Sequence, residues 1–505
     1  MKRRYVGAID QGTTSTRFFI YDHDCNVVAQ AQREHKQYFP QPGWVEHDAA
    51  EILHNAYEVT QRALTKAGLT SGDLAAIGVT NQRETIVAWD GQTAAPLGRA
   101  IVWQDARTAE ICRALEKKHG PELFWRVCGL PVSTYFSAAK IKWLLENSPA
   151  VARTARDGRL MLGTMDAWLI WRLTGGRHGG VHATDATNAS RTLLMDIQNV
   201  AWDEEMLGVF GVERQWLPEI RPSCGVYGHT DPNGPLEAAV PIAGNLGDQQ
   251  AALFGQCCFD AGQAKNTYGT GCFLLLNTGS RLARSQGGLL STVAFQEADG
   301  AVSYALEGSV AVAGSLVQWL RDNLGLIRSA HEIEPLARTV ADNGGLYLVP
   351  AFSGLFAPHW DAKARGLMIG LTHYINKGHI ARAALEAVAM QTWEVVRAMT
   401  DDAGAALSQM RVDGGMVENE LLMQFQSDIL DLPVIKPQNT ETTVLGAAFA
   451  AGLAVGYWSD KQSLRAKAAV EKTWRPTMGQ AQRQRRVAAW LRAVERAKGW
   501  LVEED

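Results

Sequence analysis

The residues best suited to chemistry stand at the ends of apolar runs. In "RYVGAIDQGTTSTRFFIYD" (residues 4–22), a carboxylate, Asp10, closes the run Tyr5–Ile9, and a small hydroxyl-rich turn follows. A turn containing Gly12 can present successive backbone N–H groups to an anion, as a nest does. Thr13, Thr14 and Ser15 add hydroxyl donors, and Arg17 adds a fixed positive charge suited to phosphate oxygens. Asp10 beside phosphates requires a cation between them, and Mg2+, which combines few carboxylates with water and phosphate oxygens, meets that need. The competing reading is a hairpin whose Asp and Thr side chains only satisfy turn amides.

Three further clusters have the same design. In "GNLGDQQAALFG", Asp248 and Gln249 open a helix-like run, and a carboxylate there can accept a substrate proton, hold a metal or merely cap the helix. In "TNQRETIVAWD", Arg83 and Glu84 follow the apolar strand Ala76–Val79. Adjacent donor and acceptor groups match a polyol, whose hydroxyls do both, although a plain surface ion pair has the same sequence. Trp103 in "IVWQDART" and Tyr135 in "STYFSAAK" could cover a small carbon skeleton or simply fill a core. In "RVDGGMVEN", the glycine pair at 414–415 permits a flat ligand such as adenine to approach the backbone, with an ordinary turn as the alternative.

These clusters need rigid elements to hold them. Tyr5–Asp10, Phe18–Tyr21 and Val27–Ala31 have the short, turn-separated pattern of an antiparallel meander. A helix with Ile52, Ala56, Val59, Ala63 and Leu64 on one face follows, capped by Asp48 and ended by Gly68. The strand "LAAIGVTNQRE" then completes a βββαβ start, which indicates an α/β domain with a mixed sheet. Residues 264–278, "AKNTYGTGCFLLLNT", repeat the strand–turn–strand design and suggest two related halves sharing a cleft. The predicted division is 1–252 and 253–505, because 505 residues exceed what one hydrophobic core usually supports. A helix over "HIARAALEAVAMQTWEVVRAMT" buries Ile380, Ala384, Val388 and Val395. A terminal helix buries Val487, Trp490, Leu491, Val494 and Leu501, with its arginines on a solvated face.

Composition excludes several classes. A net charge of −4 gives no general attraction to nucleic acid or anionic membrane. The start "MKRR" resembles that of a signal peptide, but Asp10 breaks the apolar run, and no 18-residue apolar stretch follows anywhere. Seven cysteines without a C-x-x-C pair read as reduced thiols of a cytoplasmic protein. The glycines around His178 and His182 argue against a zinc site. No Gly-Lys dipeptide exists, so a Walker A loop is excluded, and the H-R-D and D-F-G elements of protein kinases are missing.

In order along the chain, "DQGTTSTR", "QPGWVEHD", "TNQRE", "DATNASRT", "GDQQAALFG", "NTYGTGCF", "ALEG", "VDGG" and "LLMQFQSDIL" resemble the motifs of the FGGY carbohydrate kinases. The resemblance runs from about Val6 to about residue 475. It implies the two-domain actin-like, ribonuclease-H-like ATPase fold, with a mixed sheet flanked by helices in each domain. It implies transfer of the ATP γ-phosphoryl group to a polyol hydroxyl, in a homodimer or homotetramer. "TNQRE" with "GDQQ" favours glycerol, and hence a place in glycerol catabolism, over another polyol or ketose.

Carried over by position, phosphate binding falls on Thr13, Thr14, Ser15 and Arg17, metal binding on Asp10 and Asp248, and the general base on Asp248. Polyol contacts fall on Arg83, Glu84, Trp103, Tyr135, Asp248, Gln249 and Phe273; nucleotide contacts in the second half fall on Thr270, Gly314, Gln318, Gly415 and Asn419. Two family features are missing. The segment "GHTDPNGPLEAAVP" has no Lys or Arg between His229 and Pro241 to bind fructose 1,6-bisphosphate, and Gly234 stands where a phosphorylatable loop histidine would be. An actin- or Hsp70-like ATPase switch remains the alternative class, disfavoured because a pure switch needs no polyol pocket.

Overall fold

In the computed structural model, residues 4–404 and 406–502 are described; Met1–Arg3 of the basic start therefore lie outside the description. The first sheet begins with β1 (Tyr5–Gln11), β2 (Ser15–Tyr21) and β3 (Val27–Glu34). After helix α1 (Ala49–Ala67) come β4 (Leu74–Asn81), β5 (Val226–His229) and β6 (Pro241–Gly247), giving the order β5-β6-β4-β1-β2-β3. The expected meander is present: β1–β2 and β2–β3 are antiparallel, and β1–β4 is parallel. The Asp48 side chain accepts from the Ala50 and Glu51 N–H groups at the start of α1, and Gly68 at φ +65° ends the helix. Both stops are local chemistry: a cap for orphan donors and a residue free to adopt a left-handed turn.

Helix α2 (Asp248–Gly255) leads directly out of β6 and into the second sheet. That sheet comprises β7 (Gln263–Tyr268), β8 (Cys272–Gly279), β9 (Leu290–Gln296), β10 (Val302–Val310), β11 (Gln409–Asp413), β12 (Val434–Pro437) and β13 (Val470–Trp474), ordered β9-β10-β8-β7-β11-β12-β13. Its pairings β10–β8 and β8–β7 are antiparallel, and β7–β11 and β11–β12 are parallel. The series β3-β2-β1-β4-β6 has the same pattern. One strand arrangement is thus built twice, as the two glycine-turn hairpins suggested.

The halves share a core. Helix α3 (Thr442–Ala454), from the second half, lies against β1, β4, β6 and α2 of the first. Glycine makes this possible: a Cβ on Gly78 would meet the Ala447 carbonyl, and one on Gly446 would meet the Ala251 carbonyl of α2. Phe254, Leu275 and Ala447 lie in one buried cluster that spans both sheets.

Helix α4 (Gln480–Ala497) corrects the expected terminal stripe. Trp490, Ala493, Val494 and Ala497 are buried, whereas Leu491 is 37% exposed and Leu501 lies beyond the helix. The spacing of 3, 4 and 7 selects one face, and Leu491 is rotated about 100° from Trp490. Its arginines are not all solvated either: Arg486 donates to Glu386 (2.9 Å) and Arg483 to the Asp428 carbonyl (2.7 Å).

Because α2 has no room for a side chain at its contact with α3, Gly446→Ala is expected to lower unfolding free energy by about 1–3 kcal/mol. Urea denaturation measures the loss, and an unchanged midpoint would contradict the packing argument.

Candidate active site

The β1–β2 register sets Asp10 directly opposite Arg17, so both side chains leave the same face. Arg17 Nε donates to Asp10 Oδ2 (3.0 Å), its Nη2 meets the same oxygen, and its Nη1 reaches Glu441 of the second half (2.6 Å). Burial raises the Asp10 carboxyl above its ordinary pKa, against the opposing pull of Arg17. The turn between them closes with Gly12 N–H on the Ser15 carbonyl (2.9 Å). Thr14 is exposed at its tip, while Thr13 and Ser15 are half-buried.

The polar cluster after β4 is far from being a surface pair: Arg83 is 2% and Glu84 is 1% exposed. Nor are the two primarily paired with each other, since Arg83 Nε and Glu84 Oε1 are 3.9 Å apart. Arg83 instead grips Glu307 of β10 with both terminal nitrogens (2.5 and 3.0 Å). Arg191 joins Glu84 (2.7 Å) to Glu307 (3.1 Å), closing a buried network of four charges across the two halves. Burial alone would raise the Glu307 carboxyl, but Arg191 and Arg83 together outweigh it and hold it down to about 2. Glu84 has φ +60°, a strained backbone for a non-glycine residue and one often found where function over-determines geometry.

Asp248 stands at the edge of this network. It is the first residue of α2, with Gly247 in the cap position, so the simple N-cap alternative is set aside. Its Oδ1 lies 3.1 Å from Arg83 Nε and accepts the Gln249 N–H (2.7 Å), while the side chain remains 33% exposed. Burial by the surrounding walls raises its pKa, with Arg83 opposing. Lys265 of β7, fully buried, reaches Gln249 Oε1 from the second half and also donates to Thr267 Oγ1 (2.9 Å). Burial pushes the Lys265 ammonium down to about 8.

Two aromatic rings stand beside these groups. Trp103 and Tyr135 meet edge to face (centroids 5.6 Å), and the Arg191 guanidinium lies 5.5 Å from the Tyr135 ring. Lys140 fixes this segment by donating to the Tyr135 and Phe136 carbonyls (2.5 and 3.2 Å). Phe273 lies half-buried in β8, opposite Thr267.

The second-half residues converge on another turn. The Thr270 carbonyl accepts the Ala313 and Ser315 N–H groups (3.0 Å each), which sets Gly314 beside the β7–β8 turn. Gln318 is exposed one turn along the helix Gly314–Asp322. A Cβ on Gly314 would approach Gly269 O to 2.5 Å, whereas Gly415 has nothing within 4 Å of its Cβ direction. Asn419 has a structural task as well: its Oδ1 accepts the Leu422 N–H (2.9 Å) and caps the helix Glu420–Leu430.

Residues 5–255 match the N-terminal domain, and residues 264–455 the C-terminal domain, of the FGGY family of carbohydrate kinases. The chain belongs to that family. It is 56% identical to a glycerol kinase of Pseudarthrobacter chlorophenolicus and 57% identical to one of Methylorubrum populi, over 99% of each chain. Among solved structures, it superposes on Plasmodium falciparum glycerol kinase with ADP with a TM-score of 0.93, at 38% identity over 99% of both chains. A xylulose kinase from Rhodospirillum rubrum, at 24% identity and TM-score 0.85 over 97% of this chain and 98% of its own, shares the fold.

Within this FGGY fold, sequence reasoning missed Glu307, Arg191, Lys265 and Glu441. A signal existed for three of them: Arg191 lies in the motif "DATNASRT", and Glu307 in "YALEG" and Lys265 in "AKNTY" are single charges within strands. A charge inside a buried strand needs a partner elsewhere.

Arg191→Met strands Glu84 and Glu307 without their shared cation and is expected to cost about 3–5 kcal/mol at pH 7. The Glu307 stabilisation exists above the unfolded carboxyl pKa of about 4.3 and is lost as pH falls towards 2. The gap between variant and wild type in urea should therefore shrink across that window; a gap independent of pH would contradict the network.

Proposed function

We propose that this chain transfers the γ-phosphoryl group of ATP to a terminal hydroxyl of glycerol, giving sn-glycerol 3-phosphate and ADP. The observation that carries this reading is Asp248: Arg83 and Gln249 both engage Oδ1, and the side chain stays partly open. Oδ2 is then the atom that takes the proton of the attacking hydroxyl. The new bond joins the hydroxyl oxygen to the γ-phosphorus, the bond from that phosphorus to the β,γ-bridging oxygen breaks, and ADP leaves with the electron pair.

Arg83 and Glu84 orient the hydroxyls, Gln249 adds an amide, and Trp103, Tyr135 and Phe273 cover the C–H faces. Thr13, Thr14, Ser15 and Arg17 bind phosphate oxygens from the first half. Thr270, Gly314, Gln318, Gly415 and Asn419 receive the rest of the nucleotide from the second. Enclosure of this set excludes water and limits wasteful hydrolysis of ATP. Positioning and charge neutralisation supply most of the acceleration in such transfers.

The donor set also fits Mg2+. Among the described residues no three His, Cys, Asp or Glu form a metal cage, and Mg2+ needs only one or two carboxylates with waters and phosphate oxygens. Asp10 and Asp248 would hold it, and when bound it would neutralise charge on the phosphates. A cytoplasmic homodimer or homotetramer completes this reading; all seven cysteines are free thiols, and no described helix is long and apolar enough to cross a membrane.

Coupled ADP release with Mg-ATP and, separately, glycerol, dihydroxyacetone, erythritol, xylulose and gluconate tests the substrate. Glycerol should give the largest signal, and Asp248→Asn should lower turnover by about 10²-fold or more without changing thermal stability. A loss of less than a few-fold removes Asp248 as the base, and substrate-independent ADP release would favour an ATPase switch. Fructose 1,6-bisphosphate at millimolar concentration should leave the initial rate unchanged, because residues 230–240 carry no cation. Inhibition would show that the bisphosphate binds elsewhere.

A further inference from the structure

A closed circuit of hydrogen bonds runs behind the candidate site. The Thr13 carbonyl accepts Gln37 Nε2 (2.9 Å), and Gln37 Oε1 meets His47 Nε2 (2.7 Å). His47 Nδ1 meets Gln82 Nε2 (3.1 Å), and Gln82 Oε1 accepts the Thr85 hydroxyl (3.0 Å). Thr85 Oγ1 in turn accepts the Trp103 backbone N–H (3.3 Å), and Trp103 Nε1 returns to Thr13 Oγ1 (3.0 Å).

The direction of every bond is determined. A backbone carbonyl only accepts, so Gln37 offers its amide nitrogen to Thr13 and its oxygen to His47; Nε2 of His47 must carry hydrogen. The Gly12 carbonyl only accepts, and Gln82 Nε2 reaches it (3.4 Å), so the amide nitrogen of Gln82 lies on the side of Gly12 and Nδ1 while Oε1 faces Thr85, whose hydroxyl donates to it. Nδ1 therefore accepts, and His47 is the neutral Nε2–H tautomer. His47, Gln82 and Thr85 are essentially inaccessible to solvent. Burial, with the ring of His35 at 4.6 Å, pushes the His47 imidazole down to about 3, in agreement with a neutral ring.

The circuit joins two places that bind different ligands in the reading above, on which this inference rests. Thr13 belongs to the phosphate turn, whereas Gln82, Thr85 and Trp103 frame the polyol residues Arg83 and Glu84. We propose that His47 is a positioning residue whose neutral imidazole closes this circuit, so that glycerol ordering Trp103 and residues 82–85 also orders the phosphate turn. Coupling of this kind is reciprocal: each ligand then tightens the other.

Calorimetric titration of the full chain with ADP, with and without saturating glycerol, tests it. Wild type should bind ADP about fivefold or more tightly when glycerol is present. His47→Phe removes both ring nitrogens, and Gln37→Leu opens the circuit at a half-buried side chain outside both ligand sites, which keeps the test available should His47→Phe misfold. Each should reduce the ratio to below about twofold while glycerol alone still binds. Retention of the wild-type ratio in the variants overturns the proposal. Wild type that binds glycerol without coupling overturns it while leaving glycerol as substrate; failure of wild type to bind glycerol overturns both.

Discussion

The structure depends on the buried square formed by Arg83, Glu307, Arg191 and Glu84. Each member is no more than 3% exposed, and the Arg83–Glu307 pair ties the turn that follows β4 in the first half to β10 of the second. Taking such ions out of water costs several kcal/mol each, recovered only when geometry and hydrogen bonding are good. The arrangement offsets much of that cost with a two-pronged Arg83–Glu307 contact and a second arginine shared between two carboxylates, although Arg191 Nη1 is buried without a hydrogen-bond partner. It consequently fixes how the halves meet, because any shift that separates them leaves charges buried without partners.

The candidate base inherits its position from this square. Arg83 holds Glu307 with its terminal nitrogens and approaches Asp248 with Nε, so one guanidinium aligns the carboxylate with the core of the interface. The start of α2 supplies the other constraint, since its contact with the helix Thr442–Ala454 leaves no space for a side chain at Gly446. Asp248 is thus held from the side by charge and from behind by packing. Contacts nearer the mouth are of another kind: Arg17 and Glu441 are 27% and 42% exposed, so solvent screens their attraction. The deep contact is the stiff one, and the outer contact is free to exchange partners.

Duplication explains why the two halves carry similar glycine turns. The same order of antiparallel and parallel pairings places a glycine turn at 11–15 and another at 269–271. Each is bound to different neighbours. The first rests on Gln37 and Trp103, and the second on the start of the helix Gly314–Asp322. One scaffold therefore serves two unlike surfaces, because side chains around the turns differ while the backbone plan does not.

Short-range chemistry was legible in the sequence by itself. The Asp48 cap, the Gly68 stop, the Asp10–Arg17 hairpin, the mixed sheet and the repeated glycine turn all follow from alternation, turn residues and capping within a few positions. The motif order also revealed the family, and with it the residues grouped around Asp248. The error in the terminal helix, Leu491 for Ala493, arose because hydrophobicity alone does not say which of two adjacent faces meets the core. Only the tertiary structure decided the partners: Arg83 with Glu307, 224 residues away, Arg191 with Glu84, Lys265 with Gln249, and His47 between two glutamines. A charge or an imidazole shows in sequence that it needs a partner when buried, but which one it meets depends on where two sheets and their connecting helices come together.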